Sequence, residues 1–262
     1  MRIFFIGDIV GRPGRQLVQN LLPGFRRSRQ VDFVVANGEN SASGKGLTPS
    51  IAEDLYTAGV DVITSGNHVW KNREIFHIID KDPRVLRPAN YPEDDSVPGQ
   101  GSGLYPVAGA GCFVGVVNLI GRVNLGPMDC PFRVGRALVN DLLHETKVIL
   151  VDFHAEATSE KIAMGYYLDG LASAVLGTHT HVQTADERIL PDGTATLTDV
   201  GMTGPHDGVL GIRKDIILHN MITHMPVRHE LAEGDLRLCG ALVEVDSVTG
   251  RANAIERVCL RG

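Results

Sequence analysis

The chain has little that would staple it, carry it through a bilayer or attract polyanions. Only four cysteines occur in 262 residues, and Cys112, Cys130, Cys239 and Cys259 form no C-x-x-C pair. Neither a disulfide scaffold nor a thiolate zinc site is expected; reduced thiols and a cytoplasmic location are. No apolar run reaches the roughly 18 residues of a membrane helix. The longest uncharged stretch, Ser96 to Gly121, is broken by Pro98, Pro106, Asn118 and several glycines. Four apolar residues, Ile3 to Ile6, precede Gly7-Asp8, too few for the core of a secretory signal. Basic residues are in deficit, 25 Lys and Arg against 31 Asp and Glu, for a formal charge of -6 without a long block of one sign. A dedicated binder of duplex DNA or of an anionic membrane is therefore excluded as an expectation. What is present, 43% hydrophobic and 21% charged residues, suits a globular protein with a sizeable core and not a disordered one.

Short apolar runs alternate with helical patterns along the first 70 residues: 3–6, then 15–25, 31–36, 51–58 and 60–63. That βαβαβ cadence predicts a parallel sheet, and Pro13-Gly14 suits the first turn of its first helix. A short helix is expected after Asn72 and an irregular loop over 88–103. The pattern then predicts strands over 111–120, 148–153 and 174–177, and helices over 132–143, 159–168 and 214–224. Pro191-Asp192-Gly193 marks a hairpin candidate, and strands 239–245 and 253–260 are joined by a turn at 247–250. No internal repeat or linker is evident, so a single domain over 1–262 is expected, with mixed sheets because of the late hairpins.

Polar residues stand at the ends of five of these strands. Asp8 follows the first; Glu39 and Asn40 the second; Asn67 and His68 the third; His154 follows 148–153; His179 and His181 follow 174–177. In open α/β sheets ligands bind beyond the carboxyl ends of strands, where side chains distant in sequence converge. Carboxylates, amides and imidazoles without a thiolate suit Fe(II), Mn(II), Zn(II) or Mg(II). Their number exceeds one ion's needs. Two ions about 3.5 to 4 Å apart, sharing a carboxylate, would use them and would suit hydrolysis of a phosphate ester. Taken singly, Asp8 reads as a helix cap and Asn40 or Asn67 as turn residues; the joint pattern carries the inference. Alternate residues of an extended segment point to one side, so His179 and His181 are expected to feed adjacent ions.

Gly7-Asp8, Gly38-Glu39-Asn40, Gly66-Asn67-His68, His154 and His179-Thr180-His181 resemble, in order, the motifs of the calcineurin-like metallophosphoesterases. More narrowly, residues 5–11, 37–40 and 152–160 resemble the YmdB-type branch, and the likeness covers essentially the whole chain. The resemblance implies a four-layer αββα sandwich with mixed sheets, and a dinuclear metal-dependent phosphodiesterase acting on 2',3'- or 3',5'-cyclic nucleotides. It implies one ion on Asp8, Glu39, Asn40 and His181, and another on Glu39, Asn67, His154 and His179. Iron or manganese is favoured, with zinc and magnesium compatible. A hydroxide bridging the two ions would attack phosphorus in line, and His68 would protonate the leaving oxygen or act as a phosphate-binding cation. Two departures from the broader superfamily go together. Val10 stands where a histidine ligand is usual, and Glu39-Asn40 replaces the usual bridging aspartate, so that Asn40 fills the vacancy. Val69 stands where an acid often orients the histidine before it, leaving the partner of His68 open.

Other readings on the same residues are a phosphomonoesterase, a phosphoprotein phosphatase, an RNA phosphoesterase, or a regulator that binds a nucleotide without turnover. A homo-oligomer is expected only from the frequency of oligomers in general. Gly7, Gly11 and Gly14 miss the dinucleotide spacing, and Gly44-Lys45 misses the P-loop pattern, so that loop reads as surface, with a substrate-facing role second. His219, His224 and His229 recur every five residues, a spacing that argues against shared coordination on a helix. They read as structural or exposed. Arg122, Arg133 and Lys161 are candidate phosphate contacts, with solvated surface the plainer reading.

Overall fold

The computed structural model describes residues 1–92, 94 and 96–262. Its strands are β1 (Arg2–Ile6), β2 (Asp8–Ile9), β3 (Phe33–Asn37), β4 (Val62–Thr64), β5 (Ser102–Pro106), β6 (Phe113–Ile120), β7 (Ile149–His154), β8 (Ala174–Thr178), β9 (Arg188–Ile189), β10 (Ala195–Leu197), β11 (Met202–Pro205), β12 (Leu236–Val245) and β13 (Ala252–Arg261). The helices are α1 (Gly11–Ser28), α2 (Pro49–Ala58), α3 (Pro131–Leu142), α4 (Thr158–Tyr167) and α5 (Lys214–Thr223), with a 3-10 turn at Arg73–His77. Positions 93 and 95 of the loop expected over 88–103 lie outside the described residues.

The strands form two mixed sheets. The first runs β2-β11-β12-β1-β3-β4 with β13 on the other side of β12; the second runs β5-β6-β7-β8-β10-β9. Strand β1 shows why both are buried on two faces. Ile3 and Phe5 enter the apolar layer between the sheets with Val116, Leu150 and Leu176. The alternate residues Phe4 and Ile6 face outward onto Leu17, Val18 and Leu22 of α1 and Leu55 of α2. Period-two alternation with both sets apolar is the signature of a strand covered on two sides. On the far side, Leu119, Val151 and Phe153 of the second sheet pack on Val139 of α3 and Met164 of α4. The order helix, sheet, sheet, helix is the four-layer αββα arrangement with mixed sheets.

Local rules account for the elements nearest the site. Helix α2 is capped by Thr48, whose Oγ1 accepts from Ile51 N, and carries proline in its first turn; Gly59 closes it in the left-handed region at φ 107. Both expected hairpins form, β9 against β10 and β12 against β13. Among the described residues no helix is long and apolar enough to cross a membrane.

Candidate metal centre

All eight strand-end residues meet at one end of the two sheets. Asp8 lies in β2; Glu39 and Asn40 turn out of β3; Asn67 and His68 follow β4; His154 closes β7; His179 and His181 follow β8. Glu39, 1% exposed, is the hub. Its Oε1 lies 3.3 Å from His154 Nε2 and 3.2 Å from His68 Nδ1, while Oε2 accepts from the His68 backbone N–H at 3.0 Å. Around His154 Nε2 stand Asn67 Oδ1 at 2.9 Å and His179 Nδ1 at 3.1 Å. Glu39, His154 and His179 thus offer ligand atoms within 4.8 Å of one another. On the other side of Glu39, His181 Nε2 lies 3.2 Å from Asn40 Nδ2 and 3.9 Å from Asp8 Oδ1. Glycine at 66 permits this crowding, since a Cβ there would overlap Glu39 Oε2 and the His154 ring.

The electrostatics fit a cation. Asp8 is fully buried, and its Oδ1 has no hydrogen-bond partner, an orphan that costs free energy unless a positive group faces it. Burial raises its pKa, opposed by His181 and His154. Burial also works against the charge of Glu39, but His154 and His68 outweigh it and hold that carboxyl well below its usual range. Burial disfavours an imidazolium at 154, yet Glu39 and Asp8 push His154 up to about 9. Burial and the neighbouring His154 bring His179 down to about 3. A divalent ion would find here two imidazole nitrogens, an amide oxygen and a carboxylate.

Outer residues hold the candidate ligands in place. His154 Nδ1 meets Thr178 Oγ1 at 3.0 Å, and that hydroxyl donates to Asp152 Oδ1 at 2.7 Å. Asn37 Nδ2 donates to the other Asp152 oxygen at 3.0 Å. Burial pushes Asp152 up to about 6. Such a relay sets which imidazole nitrogen is free for a metal. Glu156 Oε2 lies 3.1 Å from His179 Nε2 and does the same for that ring. The acceptor for His68, open in the sequence, is Asn40 Oδ1 at 2.7 Å, with Glu39 beside it. Asn40 consequently turns its nitrogen toward His181, and ligation through oxygen requires the amide to turn over.

Two expectations need correction. His179 and His181 do not lie on an extended segment: both adopt positive φ, 92° and 65°, and their rings diverge, one toward His154 and the other toward Asn40 and Asp8. Lys161 is neither a phosphate contact nor solvated surface. It is buried, with Nζ 2.8 Å from Asp199 Oδ2 and 2.9 Å from Thr180 Oγ1, so it braces the residue between the two histidines. His229 is exposed, one of the two readings its spacing allowed. It joins Lys45, Glu156, Val10, Leu210 and Ile212 around a cavity of about 500 Å³ whose floor includes Glu39, Asn40, His68, His179 and His181. The Gly44-Lys45 loop accordingly faces this cavity. His219 and His224 are exposed, and Arg122 and Arg133 line a different cavity.

Sequence reasoning missed Asp152, Thr178, Glu156 and the Lys161–Asp199 pair. Asp152 gave a signal: a lone acid in an otherwise apolar strand, two residues before His154 and hence on its face. The others gave none, because their partners are set only by folding.

The sequence profile of the YmdB-like protein family matches residues 4–258. The 2',3'-cyclic-nucleotide 2'-phosphodiesterase of Bacillus subtilis (strain 168) is 50% identical over 260 residues, covering 99% of this chain and 97% of its own. A hypothetical protein from Thermus thermophilus superposes with a TM-score of 0.92 at 40% identity, covering 100% of this chain and 99% of its own. A novel phosphatase from Mycoplasma pneumoniae does so with a TM-score of 0.92 at 33% identity, covering 100% and 93%.

Proposed function

Because the chain belongs to the YmdB-like protein family, we propose that it is a metal-dependent phosphoric ester hydrolase that opens 2',3'-cyclic nucleotides. The observation that carries this reading is the convergence of buried oxygen and imidazole donors beneath a cavity of about 500 Å³, a volume suited to a mononucleotide. Asp8, Glu39, Asn40 and His181 would hold one divalent ion, and Glu39, Asn67, His154 and His179 the other. When bound, the ions supply Lewis acidity, neutralise phosphate charge and acidify water. Iron or manganese suits this donor set as well as zinc or magnesium does, and the first two are proposed.

The protein's own groups divide the remaining work. A carboxylate only accepts, so with the Asn40 amide turned over, Glu39 Oε1, 3.2 Å away, places a proton on His68 Nδ1 and leaves Nε2 as the nitrogen free to serve the substrate. Protonated there, His68 delivers a proton to the departing ribose oxygen. Lys45 places a cation at the cavity rim, and Val10, Leu210 and Ile212 give an apolar wall for the nucleoside. Breaking the ester at the 2' oxygen would leave a nucleoside 3'-phosphate. The four free thiols support a cytoplasmic location.

The test pairs metal analysis with hydrolysis of bis-p-nitrophenyl phosphate and p-nitrophenyl phosphate, with and without chelator and added Mn(II), followed by a panel of cyclic nucleotides. Chelator-sensitive diester cleavage and release of 3'-phosphates from the 2',3'-cyclic substrates are expected. Preference for the monoester would favour a phosphomonoesterase. No turnover after loading with Mn(II) or anaerobic Fe(II) would overturn the enzyme reading.

A further inference from the structure

Two cysteines 20 residues apart in sequence face each other across β12 and β13, where the register pairs Cys239 with Cys259. The backbone N–H of Cys239 donates to Thr203 Oγ1 at 3.2 Å and its carbonyl accepts from Gly7 N at 3.0 Å, both on the side away from β13. The two cysteines therefore form a non-hydrogen-bonded pair, the kind in which opposing Cα atoms approach to about 4.5 Å. That separation lies within the roughly 4.4–6.8 Å that a disulfide spans. The Sγ atoms are already 3.7 Å apart, and both thiols are free.

Access and polarity are also in place. A cavity of about 480 Å³ opens on both thiols and is bordered by His181, Gln183, His206 and Arg237. Cys259 is exposed, whereas Cys239 is buried and burial pushes its thiol up. Arg237 precedes Cys239 by two residues on the same face, and Arg261 stands opposite it, so cations flank the pair.

The pair is tied to the metal centre through the backbone. The Cys239 carbonyl holds Gly7, which precedes Asp8. Gln183, two residues after His181, donates from Nε2 to the carbonyls of Val200, Gly240 and Val258, each at 3.1 Å. Gly240 and Val258 are the chain neighbours of the two cysteines. We propose that Cys239 and Cys259 are a peroxide-sensitive dithiol that closes to a cross-strand disulfide and thereby loosens the Asp8–His181 half of the metal centre.

The chemistry balances with peroxide as oxidant. The Cys259 thiolate attacks one oxygen of hydrogen peroxide and releases hydroxide, leaving a sulfenic acid. The Cys239 sulfur then attacks the Cys259 sulfur; the S–O bond breaks, and the departing oxygen takes the thiol proton and leaves as water. The Cα separation usual in a disulfide, about 5.5–6 Å, exceeds the about 4.5 Å of a non-hydrogen-bonded pair, so closing the bond spreads β13 from β12 at this register. The two carbonyls that Gln183 clasps shift against each other, and the anchor of Gly7 shifts with them.

The experiment treats the full-length protein with hydrogen peroxide, alkylates free thiols and maps peptides by mass, while Mn(II) affinity is read by calorimetry before and after. A Cys239–Cys259 link should appear together with a fall of about tenfold or more in Mn(II) affinity, the size seen when the outer support of a ligand is disturbed. Dithiothreitol should reverse both. Cys259→Ser, at an exposed position, should bind Mn(II) as the wild type does and lose the peroxide response; Cys239→Ala should behave alike. Alkylation of both Cys239 and Cys259 after peroxide, a link without a change in affinity, or the same fall in Cys259→Ser would each overturn the proposal. The coupling rests on the metal-site reading, so reduced protein that binds no Mn(II) would overturn both; the link itself stands or falls on the mapping alone.

Discussion

Replacing Lys161 by Met tests whether the turn carrying His179 and His181 is held by a buried ion pair. The side chains of Lys161 and Asp199 are 2% and 0% exposed, and the ammonium reaches both Asp199 Oδ2 and Thr180 Oγ1. Met keeps the length and apolar stem but leaves the carboxylate uncompensated. Removing one partner of a buried pair costs about 3–5 kcal/mol. Asp199 would retain bonds from Thr180 N at 3.0 Å, from the Thr180 hydroxyl and from Gly201 N at 2.7 Å, which places the loss at the lower end, about 3 kcal/mol. At about 2–4 °C per kcal/mol for a chain near this length, thermal unfolding of the metal-free protein followed by circular dichroism should shift down by about 6–12 °C. The double variant with Asp199→Asn should recover more than about 1 kcal/mol relative to additivity, since neither charge is then stranded. Mn(II) affinity should fall as well, because Thr180 sits between two proposed ligands. A shift under about 3 °C, or strictly additive single effects, would refute the reasoning.

Other substitutions separate binding from chemistry. Glu39→Gln removes the carboxylate common to both donor groups, so metal content measured by plasma mass spectrometry and diester hydrolysis should vanish together; metal at the wild-type level would contradict the hub role. His68→Ala keeps the backbone N–H that donates to Glu39, so metal should remain while turnover falls by about 100-fold or more, and loss of metal would count against the assigned role. Gly66→Ala forces a methyl against Glu39 and His154 and should give a protein folded by circular dichroism but unable to bind Mn(II); normal binding would show that the turn relaxes freely.

The sequence shows the fold where burial leaves a pattern. Strands such as β1 and β7 read clearly because apolar residues predominate on both faces. By contrast β2 has two residues, and β5 and β11 carry glycine and proline, so their pairing comes from neighbours and not from their own composition. The convergence of the eight candidate residues was legible because each follows a recognisable strand. Their supports were not: Lys161 on α4 meets Asp199 only after the second sheet forms, and Cys239 meets Cys259 only once the register of the last hairpin is known. The turn at 179–181 misled, since alternation presumes extended backbone and this segment bends through the left-handed region twice.

The proposed ligands come from both sheets: Asp8, Glu39, Asn40 and Asn67 from the first, and His154, His179 and His181 from the second. An ion held by such a set acts as a rivet across an interface otherwise filled by apolar side chains, so uptake and folding become one equilibrium. At a free concentration one hundred times the dissociation constant, the gain is about 2.7 kcal/mol. Scarcity of the ion then does more than idle the enzyme. It raises the population of opened chains exposed to proteolysis, so that the cellular abundance of this protein would itself follow metal supply.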